Sequence, residues 1–149
     1  MSYKETSLDE ILEIIGDDVG KKYSWLLIEV EAIGYDMDNK EIWGNLTWGE
    51  ITDQCDRDKF YPIEWEYLKK ITTKIRTVTT FIFYGCKDKD EYLKKLKEAL
   101  SKGIDQNNYP DCELKFEVFD SEIWDISGTD TPLVERLTKH FSPLPIMVI

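Results

Sequence analysis

Thr77-Val78-Thr79-Thr80-Phe81-Ile82-Phe83-Tyr84 is β-branched or aromatic at every position. Strand side chains alternate between two faces, so a run without a charge on either face suits the middle of a sheet covered from both sides. The flanking segments read differently. Upstream, Trp25 to Ile33 has period two, with Leu26, Ile28, Val30 and Ala32 on one face and Glu29 and Glu31 on the other, which predicts a strand with one wet face. Downstream, Cys112, Leu114, Phe116 and Val118 alternate with Glu113, Lys115 and Glu117, a second one-faced strand that Trp124 and Ile126 continue past a bend.

Helices are expected around these strands. Ser7-Leu8-Asp9-Glu10 is a capping box, in which hydroxyl and carboxylate reciprocally satisfy backbone donors, and Leu8, Ile11, Leu12 and Ile15 form a stripe that stops at Gly16. Thr47-Trp48-Gly49-Glu50 is a second box, after which Trp48, Ile51, Thr52 and Cys55 keep helical spacing. Pro62 suits the first position of a longer helix with Trp65, Leu68, Ile71, Thr72 and Ile75 inward and Glu66 paired with Lys70. Asp88 caps a helix whose Tyr92, Leu93, Leu96 and Leu100 point inward and which Gly103 ends. Thr131-Pro132 opens a last helix with Leu133, Val134, Leu137 and Phe141 inward, closed by Pro143 and Pro145. Asp36 to Lys40 supplies turn residues, Glu41 to Leu46 resembles a returning hairpin arm, and the apolar Ile146-Met147-Val148-Ile149 is expected to pack on the core or extend a sheet edge. Helices and strands interleave without strict alternation, which predicts one α+β domain over residues 1–149, a mixed sheet of about four to six strands with three to five helices.

Composition narrows the function classes. Cys55, Cys86 and Cys112 are odd in number and widely spaced, so free buried thiols in a reducing compartment are expected. No run approaches the roughly 18 to 20 apolar residues of a membrane span, and Met1 to Thr6 lacks the apolar core of a signal peptide, which together predict a cytoplasmic protein. A net charge of -11 argues against binding nucleic acid or anionic membranes, because cations supply that affinity. The charge is segregated along the chain. Residues 29–58 carry nine acids against Lys40 and Arg57, residues 62–102 are net positive, and residues 105–130 carry eight acids against Lys115.

Several chemistries fail on spacing. His140 is the only histidine, and near a predicted helix C-terminus it gains from the dipole for structural reasons. Cys55, Cys86, Cys112 and His140 lack the paired spacing of structural zinc. Asp36-x-Asp38-x-Lys40 begins like a calcium loop, but a lysine occupies the third ligand position and the bend glycine is missing. Gly16-Asp17-Asp18-Val19-Gly20-Lys21 is too short for a phosphate loop, and its two acids would repel phosphate. No metal or cofactor is expected. A carboxylate pair, or Cys86 where a strand ends before a helix, is the equipment from which an enzyme would be built.

What remains is the coincidence of tryptophans with acids. Trp43 and Trp48 lie in the first acidic stretch and Trp124 in the second. Aromatic anchors ringed by carboxylates suit an interface with a basic protein, the ring supplying affinity and the acids steering and selectivity. The expected partner surface is Asp36, Asp38, Glu41, Trp43, Trp48, Glu50, Asp53, Asp56 and Asp58. The alternative face is Glu113, Glu117, Asp120, Glu122, Trp124 and Asp125.

In overall character, as a small acidic domain without catalytic equipment, the chain resembles the immunity proteins that bacteria make against polymorphic or contact-dependent toxins. The resemblance lies in no motif and carries no functional residue over. It implies a stoichiometric inhibitor whose carboxylates imitate the phosphates that a basic nuclease toxin expects. A third possibility is a structural or regulatory subunit that docks through Ile146 to Ile149.

Overall fold

The computed structural model describes residues 2–3, 8–34, 47–119 and 123–139. Strands β1 (Ser2–Tyr3), β2 (Ser24–Gly34), β3 (Tyr61–Ile63), β4 (Ile75–Cys86), β5 (Leu114–Phe119) and β6 (Ile123–Ser127) form one six-stranded sheet in the order β1-β6-β5-β4-β2-β3. Around it lie α1 (Leu8–Ile15), α2 (Asp17–Lys22), α3 (Trp48–Asp58), α4 (Trp65–Lys74), α5 (Lys89–Ser101) and α6 (Thr131–Lys139). The chain is a single α+β domain, as the interleaving predicts.

Two details of that expectation are corrected. Every neighbouring strand pair is antiparallel, so the sheet is not mixed. The segment after α5 brings the chain back to where β4 ended, pairing Leu114 with Gly85, and β5 therefore runs opposite to β4. The described residues also hold six α-helices rather than three to five, because Asp17 to Lys22 closes a short helix of its own. Gly16, at φ 82, makes the sharp exit from α1 that allows it, a conformation open to glycine at no steric cost.

The central strand is covered on both faces only over its second half; Thr77 and Thr79 are exposed and Thr80 is half-exposed, because α5 does not reach that far, which corrects the expectation for Thr77 to Thr80. Phe81, Ile82, Phe83 and Tyr84 are all buried, with Phe81 and Phe83 on one face and Ile82 and Tyr84 on the other. The first face meets α1, α3, α4 and α6 through Ile11, Leu12, Ile51, Leu68, Ile71 and Leu137. The second meets α5 through Tyr92 and Leu96. The Asp88 and Thr47 caps are both formed, the latter as a full capping box with Glu50. The Ser7 box, the 36–46 hairpin arm, His140, Phe141 and Ile146 to Ile149 lie outside the described residues.

Trp25 anchors the larger core. Its ring lies 5.3 Å from that of Trp65, 5.8 Å from Phe83 and 6.0 Å from Tyr23, and its indole N–H donates to the Gly20 carbonyl at 2.8 Å. Trp65 donates to Asp17 Oδ1 at 2.8 Å, which also accepts from Lys69 Nζ at 2.8 Å. These two donors, Lys69 first, hold the Asp17 carboxyl below its ordinary range. Glu66 pairs with Lys69 and Lys21 rather than with the expected Lys70. Pro62 is not a helix start either: it lies in β3, opposite Leu26, and Glu64 is the residue before the helix. An edge strand tolerates the missing donor of proline.

Beyond the three residues of β3, the outer edge of β2 is met by α3. The Cys55 thiol donates to the Leu27 carbonyl at 3.3 Å and the Trp48 indole to the Ala32 carbonyl at 3.0 Å.

Two glycine substitutions separate packing from backbone effects. A Cβ at Gly20 would meet Trp65 Cε2 at 2.0 Å, so Gly20→Ala is expected to destabilise by about 1–3 kcal/mol, as overpacked cores do. At Gly49 in the first turn of α3, the nearest atom is Thr47 Oγ1 at 3.9 Å, so Gly49→Ala is expected to stabilise by about 0.5 kcal/mol. Urea midpoints at constant m-value read both.

Candidate functional site

The site begins with an irregularity in β2. Leu27 pairs with Phe83 and Glu29 with Ile82, so Ile28 is one residue extra, a β-bulge. The alternation expected for this strand is corrected there. Trp25, Leu27, Val30 and Ala32 share the larger core, whereas Glu29 and Glu31 come to the face of Leu26 and Ile28. A slip of one residue exchanges the faces of everything beyond it.

The register then runs straight across the sheet: Glu29 opposite Ile82, Ile82 opposite Glu117, Glu117 opposite Asp125, and Asp125 opposite Ser2. Glu31, paired with Thr80, lies one step along the same face. The packing of α5 covers only the end of this face that carries Leu26, Ile28, Tyr84 and Cys86. Beyond Ile82, its described side chains are exposed or half-exposed, Ile33 at 72% being the most open large apolar residue among them.

Glu117 and Asp125 are like charges in directly opposed cross-strand positions, an arrangement that costs stability when both are ionised. Burial first and then the Asp125 charge raise the Glu117 carboxyl above its ordinary value of 4.5, while Lys115 opposes the shift. Lys115 is partly engaged elsewhere, its ammonium 5.2 Å from the centre of the Tyr84 ring and 3.6 Å from Asp111.

The fold separates the expected site residues. Trp48 is not a surface anchor: it is 5% exposed, because α3 presses its ring onto the core and its indole N–H onto β2. Glu50 closes the capping box with Thr47. Asp53, Asp56 and Asp58 are exposed on α3, Asp58 beside Arg57 at 3.6 Å. Glu113 accepts from the Lys87 backbone N–H at 3.1 Å and so ties the approach to β5 to the turn after β4. Asp36, Asp38, Glu41, Trp43, Asp120, Glu122 and the Trp124 side chain lie outside the described residues. Of the second expected face, Glu117 and Asp125 are brought together, and Glu29 and Glu31 join them from a strand that the site reading left out. The signal for that was a strand one residue too long for its partner, which no single-strand pattern displays.

Cys86, the alternative nucleophile, is 1% exposed. A hydrogen bond with the Cys112 thiol and burial hold it in the protonated form, whereas the thiolate is the reactive species. Burial, then Asp56 and Glu29, push the Cys55 thiol up to about 12. A cleft of about 570 Å³ runs over Trp25, Trp65 and Pro62 with Lys21, Glu64, Glu66 and Lys89 around it. Its aromatic polar atoms are already engaged: both indoles as above, and the Tyr23 hydroxyl donating to Asp130. No described helix is long and apolar enough to cross a membrane, and no described group of three or more His, Cys, Asp and Glu is placed to hold a metal ion.

Two measurements follow. A carboxyl whose pKa is raised by folding binds its proton first in the folded state, so stability falls as pH rises through that raised value. Glu117→Gln should therefore raise the melting temperature at pH 7, and the gain should shrink as pH falls toward the ordinary carboxylate range. Ellman's reagent should leave Cys55, Cys86 and Cys112 unmodified in the native protein and titrate all three in denaturant. In comparison with known proteins, the chain matches no family model, no curated protein and no solved structure.

Proposed function

We propose that this chain is a non-catalytic protein that binds a basic protein partner through the uncovered acidic part of its sheet, as an immunity or antitoxin protein masks a nuclease-type toxin. The observation that carries the reading is the pair Glu117 and Asp125, opposed on an open face in one register row with Glu29. Opposed acids are a cost to the free protein that a cationic partner removes.

The sheet supplies rigidity. Neighbouring strands lie about 4.8 Å apart, so carboxylates fixed by backbone register form a preorganised array, and little side-chain ordering remains at association. Ile33, 72% exposed at the margin, adds apolar surface beside the charges. Association through such a field is fast and falls with ionic strength. Three buried free thiols suit a reducing compartment, so the proposed place of action is the cytoplasm.

The test is affinity enrichment from the native source with the wild type and with the doubly reversed Glu117→Lys/Asp125→Lys variant. A basic protein enriched by the wild type, lost with the reversed variant and toxic when expressed without this chain is the expected outcome. A partner that is neutral or acidic, or that the reversed variant retains, would overturn the reading.

A further inference from the structure

Beside the acid row, the surface sinks into a hollow of about 320 Å³ between the end of α3, the bulged part of β2 and the segment that follows α5. Its apolar lining includes Ile28, Leu100, Ile104 and Tyr109, of which Ile28 and Tyr109 are 5% and 8% exposed. Three carboxylates line it as well, Glu29, Asp56 and Asp105, against the single cation Lys59. Glu29 belongs both to this hollow and to the register row, so the two meet at that residue.

We infer that this hollow receives one lysine or arginine side chain of the basic partner, its stem against Ile28, Leu100 and Ile104 and its cation among Glu29, Asp56 and Asp105. The inference rests on the docking reading above and deepens it. Long cationic side chains are amphipathic: the methylene stem gains from apolar contact while the head seeks carboxylates. An apolar pit lined by three acids meets both demands at once, whereas an acidic patch without a pit meets only the second. A small organic anion is excluded by the same charges, and a purely apolar side chain would desolvate the exposed carboxylates of Glu29 and Asp56 without compensation. The field of the acids reaches the lining. Beyond the effect of burial, Asp56 and Glu29 raise the Cys55 thiol, and Glu29 and Asp105 act in the same direction on the Tyr109 hydroxyl.

The lining also explains why the end of α3 matters to recognition. Lys59 adopts the left-handed conformation, φ 71, as the C-cap of α3, and its N–H donates to the Cys55 carbonyl at 2.8 Å. The helix therefore stops at the hollow, and Asp56 is held there by its last turn rather than by a loop.

The test needs no partner. Nα-acetyl-lysine methylamide and Nα-acetyl-arginine methylamide are titrated into the full-length ¹⁵N-labelled protein, with the norleucine analogue as the uncharged control. Amide shifts concentrated on residues 55–59 and 104–109 with the cationic probes, absent with norleucine and lost in Asp56→Asn/Asp105→Asn, are the expected result. Shifts spread evenly over other exposed acids such as Asp9 and Asp90, or equal shifts with norleucine, would overturn the inference. Ile104→Trp, checked for unchanged melting, fills the hollow and should weaken a captured partner by at least about tenfold, as loss of a buried anchor does. If Ile104→Trp binds normally while Glu117→Lys/Asp125→Lys does not, the hollow fails and the docking face stands. If neither variant affects capture, both fail.

Discussion

One extra residue in β2 governs which side of this molecule is charged. Without the bulge at Ile28, strict alternation from Trp25 and Leu27 would aim Glu29 and Glu31 into the larger core, and burying two unpaired carboxylates there is prohibitively costly. With it, Val30 and Ala32 take the core positions and the acids turn to the opposite face. Everything argued about the surface depends on this exchange: the alignment of Glu29 with Ile82, Glu117 and Asp125, and the sharing of Glu29 between row and hollow.

The two faces of the sheet differ in what holds them. One is filled by an aromatic core, where Phe83 stacks on Phe116 at 5.0 Å and Trp25 bridges to Trp65. Its polar atoms are satisfied locally, and the one described buried polar side-chain atom without a hydrogen bond is the Tyr67 hydroxyl. The other face is only half covered by α5, and past that cover the strands present threonines and acids. Rigidity comes from the first face, and the second carries the charges.

Much of the fold was legible because single segments carried enough information. The run from Phe81 to Tyr84 announced a doubly covered strand, the Asp88 and Thr47 caps marked helix starts, and the stripe of Trp65, Leu68, Ile71 and Thr72 marked an inner face. What could not be read needed two segments at once. The bulge exists only relative to β4, and Pro62 reads as a helix start until β2 is seen beside it. Trp48 reads as a surface aromatic among acids until the carbonyl of Ala32 is seen to take its N–H. The site suffered most: helical and strand patterns place a charge on a face, but only register says which charges on different strands meet. Glu117 and Asp125 were named for their composition, and Glu29 and Glu31 were placed on a wet strand face without being included in either expected partner surface.

The way α3 lies along β2 bears on how the chain keeps to itself. A strand edge with free carbonyls is a template on which a second molecule can add its own strand, and repeated addition ends in aggregates. Here the Trp48 indole occupies the Ala32 carbonyl beyond the end of β3, so the helix is a shutter over a sticky margin. The capping box of Thr47 and Glu50 is then more than a local fastening. By keeping the first turn of α3 wound, it holds the Trp48 indole at the Ala32 carbonyl.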